Sequence, residues 1–155
     1  MLACMSLAHA EFLRVEVTFQ ATDCISCTES LAGRLERVRG VESVTLDLDR
    51  SLVTMKLEAA NKVRLTPLLS RITQDGTNIS RTEVVVIGTI VRQEQEYRFQ
   101  PAGLREVYRV NLLEADPKPE LREDSAYEIR GFVSEAEPGG EPLIEVVSAT
   151  PANGP

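Results

Sequence analysis

The run Leu13-Arg14-Val15-Glu16-Val17-Thr18-Phe19-Gln20-Ala21-Thr22-Asp23-Cys24-Ile25-Ser26-Cys27 contains both a change of periodicity and a Cys-x-x-Cys pair. Leu13, Val15, Val17 and Phe19 alternate with Arg14, Glu16 and Thr18, the pattern of a half-buried strand. From about residue 25 to 39, Leu31, Leu35 and Val38 recur at helical spacing, with Arg34, Arg37 and Arg39 late and Gly40 as a stop. Cys24 and Cys27 therefore sit where a strand runs out and a helix begins. A thiol there faces unpaired backbone N–H groups and the positive end of the helix dipole. Both favour the thiolate, the form that binds soft metals or attacks disulfides.

Outward from that junction, Val44, Leu46 and Leu48 share one strand face, then Val53, Met55 and Leu57 share another, with Asp49-Arg50 as a tight turn between them. Thr66-Pro67 opens a second helix, Thr as its cap and Pro in its first turn, lined by Leu65, Leu68, Leu69 and Ile72 and ended by Gly76. A strand over about 79–87 follows. The order strand–helix–strand–strand–helix–strand predicts a ferredoxin-like βαββαβ sandwich, an antiparallel sheet with two helices on one face.

Beyond Gly88 the strand-like segments 84–91, 97–99, 106–113, 127–133 and 143–147 are separated by Pro- and Gly-rich turns, and nothing there has helical periodicity. A small all-β barrel is the natural expectation, with residues 120–133 resembling a late strand of an OB-type barrel. A plain meander extending the first sheet is the alternative. The chain is thus expected to be α+β: a signal-peptide remnant over 1–10, a ferredoxin-like domain over 11–87, a small all-β domain over 88–150 and a tail over 151–155.

Composition narrows the function. The 155 residues are 43% hydrophobic and 26% charged, ordinary for a soluble protein, and no apolar run approaches the roughly 20 residues needed to span a bilayer. A net charge of −7 argues against nucleic-acid binding. Residues 1–10 lack Lys, Arg, Asp and Glu and end in Ala8-His9-Ala10, an A-x-A cleavage pattern. Read as the tail of a signal whose basic start and most of whose apolar core are missing, they imply an exported, periplasmic protein; if 1–10 are not a signal, a cytoplasmic one is expected. Cys4 as a lipid-attachment site is the lesser option. Cleavage would remove Cys4 and His9, the one histidine, and with it any imidazole-dependent triad or His-ligated zinc.

The first half resembles the heavy-metal-associated domain family, found in copper chaperones, at the N-termini of metal-pumping P-type ATPases and in periplasmic mercury-binding proteins. The resembling residues are Asp23-Cys24-Ile25-Ser26-Cys27, then Leu31, Leu35 and Gly40-Val41-Glu42-Ser43-Val44, the hairpin and Gly76. The chain departs from the family at Ala21-Thr22, where Gly-Met is usual, and at Thr77-Asn78, where an aromatic often stands. The resemblance implies metal capture by Cys24 and Cys27 as thiolates, and exchange with a metal-transport or acceptor protein. Sulfur chemistry agrees: two soft ligands with no third demand suit Cu(I) first, and Hg(II). Asp23 offers a hard oxygen that Zn(II) or Cd(II) can use as an auxiliary donor, and it equally suits capping of the helix.

The expectation is non-catalytic binding of a soft or borderline metal ion, for transfer or sequestration. Thiol–disulfide exchange by the same pair is the enzymatic alternative; an interaction module that keeps the fold and its cysteines is another. Glu135, Glu137, Asp47 and Asp49 read as solvated groups, Met55 as core, and Tyr97, Phe99, Tyr108, Tyr127 and Phe132 as barrel core rather than a base-stacking platform.

Overall fold

Alternating burial carries β1 (Phe12–Gln20) through the sheet: Val15, Val17 and Phe19 are buried while Arg14, Glu16 and Thr18 are not. The computed structural model describes residues 12–20, 25–101, 103–112, 115 and 117–152, with the side chains of Ile25 and Cys27 outside that description. After β1 come α1 (Ile25–Glu36), β2 (Val41–Asp47), β3 (Leu52–Leu57), α2 (Leu65–Thr73), β4 (Asn78–Gln93), β5 (Glu96–Pro101), β6 (Tyr108–Asn111), β7 (Ala126–Ser134) and β8 (Leu143–Pro151). The strands form one eight-stranded sheet in the order β2-β3-β1-β4-β5-β6-β8-β7, and a further β4–β7 ladder closes the last five into a barrel. Within the barrel β6 and β8 run parallel and the other neighbours antiparallel.

This overturns the expected fold class. The chain is mostly β, with two helices among the described residues and a closed five-strand barrel, and its architecture is not a ferredoxin-like βαββαβ sandwich. The physical reason is β4. The apparent segments 79–87 and 84–91 are one strand of 16 residues, whose alternating burial runs straight through Gly88. Glycine there reads as a stop but acts as a gap. On one edge of β4, β1 pairs from Asn78 to Val86 and β5 takes over from Gly88 to Gln93. On the other edge β7 pairs from Glu83 to Thr89. A Cβ on Gly88 would lie 2.5 Å from the Gln100 carbonyl oxygen, 2.5 Å from Phe99 Cζ and 2.9 Å from Pro101 Cα. Gly131, at the bulge of β7 against β8, would bring a Cβ within 2.5 Å of the Glu145 carbonyl oxygen.

Smaller expectations shift for equally local reasons. α1 ends at Glu36, ahead of a turn that closes on Gly40 at φ +97°, a left-handed conformation suited to glycine. The hairpin loop is four residues, 48–51, in which the Asp47 carboxylate accepts the Arg50 N–H at 3.0 Å. α2 starts one residue before Thr66; Arg64, in extended conformation, is its N-cap and supplies no side-chain hydrogen bond.

The core is one cluster. Leu31 and Leu35 of α1 and Leu65, Leu68 and Ile72 of α2 are buried with Val15, Val53 and Met55 of the sheet, in the same cluster as Ile90, Phe99, Ile129 and Val146 of the barrel. Phe12 meets Tyr108 edge-on, ring centroids 6.4 Å apart, joining β1 to the barrel. The Tyr127 hydroxyl donates to the Glu120 carbonyl at 3.2 Å and accepts the Arg122 N–H at 2.9 Å, pinning the loop that carries buried Leu121.

Gly88→Ala is expected to destabilise the protein by about 1–3 kcal/mol, because backbone atoms line the space the new methyl needs. Gly33→Ala, on α1 with nothing within 4 Å of its Cβ, is expected to stabilise by about 0.5–1 kcal/mol. Urea midpoints of the two variants should therefore move in opposite directions; a Gly88→Ala midpoint at or above wild type would refute the crowding argument.

Candidate metal-binding site

The strand-to-helix junction has a firm base. β1 ends at Gln20, paired with Asn78 at the start of β4, and the Phe19 N–H reaches the Ser51 carbonyl of the hairpin loop at 3.0 Å. α1 then begins at Ile25, so Cys27 is its third residue and lies in the first turn. Asp23 and Cys24 lie outside the described residues, as does the side chain of Cys27. Among the described residues there is no group of three or more His, Cys, Asp and Glu arranged to hold a metal.

The geometry around the junction bears on its chemistry. No acidic residue occupies the first turn of α1, so its positive end is not offset from within the helix. Thr28, Leu31 and Leu35 are buried and fix the helix's rotation against the sheet. At the other end of the helix Arg34 donates to the Ser30 hydroxyl at 3.1 Å and, through its other terminal nitrogen, to the Asp75 carboxylate at 2.7 Å. Asp75 also accepts the Thr77 hydroxyl at 2.7 Å and the Thr77 N–H at 3.1 Å. This clamp ties α1 to the connection between α2 and β4.

The clamp is charged and half-sheltered. Burial alone would raise the Asp75 pKa; the Thr77 hydroxyl, the Arg34 guanidinium and the Thr77 amide outweigh it, and the carboxyl is held below its ordinary value. Sequence reasoning missed the clamp. Its signal was the spacing Asp75-Gly76-Thr77, an Asx-type turn ahead of a strand.

The other singled-out residues fall as follows. Met55, Phe99, Tyr108 and Tyr127 are buried in the core. Tyr97 is 39% exposed, and Phe132 is half-buried beneath the Arg81 guanidinium, 3.6 Å from the ring centroid. Glu135, Glu137 and Asp49 are exposed, and Asp47 serves its turn. No helix is long and apolar enough to cross a membrane among the described residues. Residues 1–11, including Cys4 and His9, and residues 153–155 lie outside the described residues.

No family model matches the chain, and no curated protein does. Among solved structures it is similar to the yeast copper transporter domain Ccc2a, determined in the apo and Cu(I)-loaded states, at 20% identity, covering 44% of this chain and 94% of that one with a TM-score of 0.37. The likeness to a copper-transporter domain is weak and carries no functional argument.

Because the folded Asp75 pKa lies below its unfolded value, the clamp's contribution is present above the unfolded carboxylate pKa and is lost as pH falls through the folded one. Asp75→Asn is expected to cost on the order of 1–2 kcal/mol at neutral pH and to flatten the fall of stability between about pH 5 and 2. Chemical denaturation across that range checks it; an unchanged acid slope would assign the clamp no electrostatic role.

Proposed function

We propose that this protein binds one soft or borderline metal ion through Cys24 and Cys27 as thiolates, without catalysis, for transfer or sequestration. The observation that carries this is the start of α1 at Ile25, directly after Cys24, with Cys27 in the first helical turn. Unpaired amides and the helix dipole favour the ionised form of a thiol at such a position. Two sulfurs so placed, with no imidazole nearby in sequence, select a metal that accepts few, soft ligands.

Cu(I) is the favoured ion, with Hg(II) next. Asp23, immediately before Cys24, is an auxiliary oxygen donor for Zn(II) or Cd(II). The partner implied is a metal-transport or acceptor protein, and the setting an exported, periplasmic one. In an oxidising compartment the pair must be kept reduced to bind, since closure to a disulfide removes both ligands.

Titration of fully reduced protein with Cu(I) or Hg(II) is expected to saturate at one equivalent, and Cys24→Ser and Cys27→Ser each to abolish that step. Asp23→Asn should leave the Cu(I) step intact and weaken Zn(II) or Cd(II). Full-strength binding by Cys24→Ser rejects the site; reduction of insulin by the wild type in place of metal uptake would make the pair a redox catalyst.

A further inference from the structure

Five consecutive residues of β4, 78–82, line one cleft of about 440 Å³. Successive strand residues point to opposite faces, so five in a row line a cleft that runs along the backbone edge. The ladders explain why that edge is open. β1 covers one side of these residues, from Gln20↔Asn78 to Val17↔Thr82. On the other side β7 reaches only as far as Phe132↔Glu83. β7 continues to Ser134 with its other edge still paired to β8, but Val133 and Ser134 have no partner on β4. Along 78–82 the N–H and C=O groups that point away from β1 therefore have no ladder partner among the described residues.

A second cleft of about 460 Å³ adjoins the first, sharing Leu69, Val133 and Glu135 with it. Together they make one groove along α2, between that helix and the barrel. The second lobe is more apolar, walled by Leu65, Val107 and Pro142, and three carboxylates face it: Glu106, Glu135 and Glu141. Glu106 accepts from Arg64 at 2.6 Å and from the Tyr108 hydroxyl at 3.3 Å, and Glu141 from Arg98 at 2.7 Å. Glu135 is exposed and has no ion-pair partner among the described residues.

We propose that this groove docks an extended peptide strand of a partner protein, apolar in alternate positions and carrying a basic residue. The strand continues the track that β7 abandons, hydrogen-bonding to the open edge of β4 and running on along α2 until its cation meets Glu135. Only another extended chain repeats donors and acceptors at the spacing a strand edge offers, which is the basis of recognition by strand addition. Native sheets guard exposed edges with charge, proline or bulges. Here residues 78–82 are Asn-Ile-Ser-Arg-Thr, without proline; the one charge, Arg81, is stacked on Phe132, and the ladder to β1 over this stretch has a single register shift, at Ser80. The groove stands independently of metal uptake by the cysteines.

The test uses the full metal-free chain and a phage-displayed linear heptapeptide library, followed by synthesis of the selected sequences. Selected peptides are expected to alternate apolar residues and to carry Lys or Arg. They should slow hydrogen exchange at the outward-facing amides of 78–82 by at least tenfold, and Glu135→Lys, a surface change, should weaken binding about threefold to fivefold. Failure to select any peptide overturns the proposal. So do protection confined to other strands, slow exchange of these amides before peptide is added, and indifference to Glu135→Lys.

Discussion

Strand β4 has three neighbours, and the molecule is organised by how it divides them. β1 and β5 take one edge in succession while β7 takes the other, so the hydrogen-bond ladder never breaks between the helix-covered part of the sheet and the barrel. The handover lies between Val86 and Gly88, where a β-carbon would need space held by the Gln100 carbonyl and the Phe99 ring. Because β1, β4 and β7 lie side by side over 83–86, separating the two parts would expose a row of backbone groups and split one hydrophobic cluster. Each unpaired buried group would carry a desolvation penalty of about 1–3 kcal/mol. The barrel is thus a continuation of the sheet that supports the cysteine-bearing helix.

The elements themselves were legible where periodicity is strong. Val15-Val17-Phe19, Leu31-Leu35, Val53-Met55 and Leu65-Leu68-Ile72 are buried as their spacing implies. What was hidden is how the elements join. Gly88 looks like a terminator because glycine often ends elements, yet here it serves a close approach that only long-range pairing creates. The closure of β7 on β4 is likewise invisible locally, since Tyr127-Glu128-Ile129-Arg130 alternates the same way whether its partner is one strand or two. Thr66 misled for a different reason: a Thr before Pro looks like a helix cap, but Leu65 is buried and draws the helix start back to it.

Of the candidate site, the position on the chain was legible and its mechanical support was not. Cys27 falls in the first turn of α1, as the change of period indicates. The Arg34–Asp75 contact joins residues 41 apart in sequence, and the Asp75-Gly76-Thr77 turn signals only the Asp75 half of it. Arg34 is also an unusual clamp, since its Nε is buried without a partner among the described residues while its terminal nitrogens are engaged. That arrangement gives up one donor's solvation, and it is tolerable because two charge-assisted or polar contacts are made by the same planar group.

Rigidity at the base of a binding loop matters more than contacts within it. A two-thiolate site gains little from area and much from arriving preformed, because ordering a loop on ligation subtracts directly from affinity. β1 ends at Gln20, laddered to Asn78, beside the Phe19–Ser51 hydrogen bond. α1 begins at Ile25, its buried Thr28, Leu31 and Leu35 prevent rotation, and its far end is pinned to the α2–β4 connection. The elements on either side of residues 21–24 are therefore both anchored, one a strand and one a helix. Asn78 also begins the stretch of β4, residues 78–82, that β1 pairs on one edge and β7 does not reach on the other.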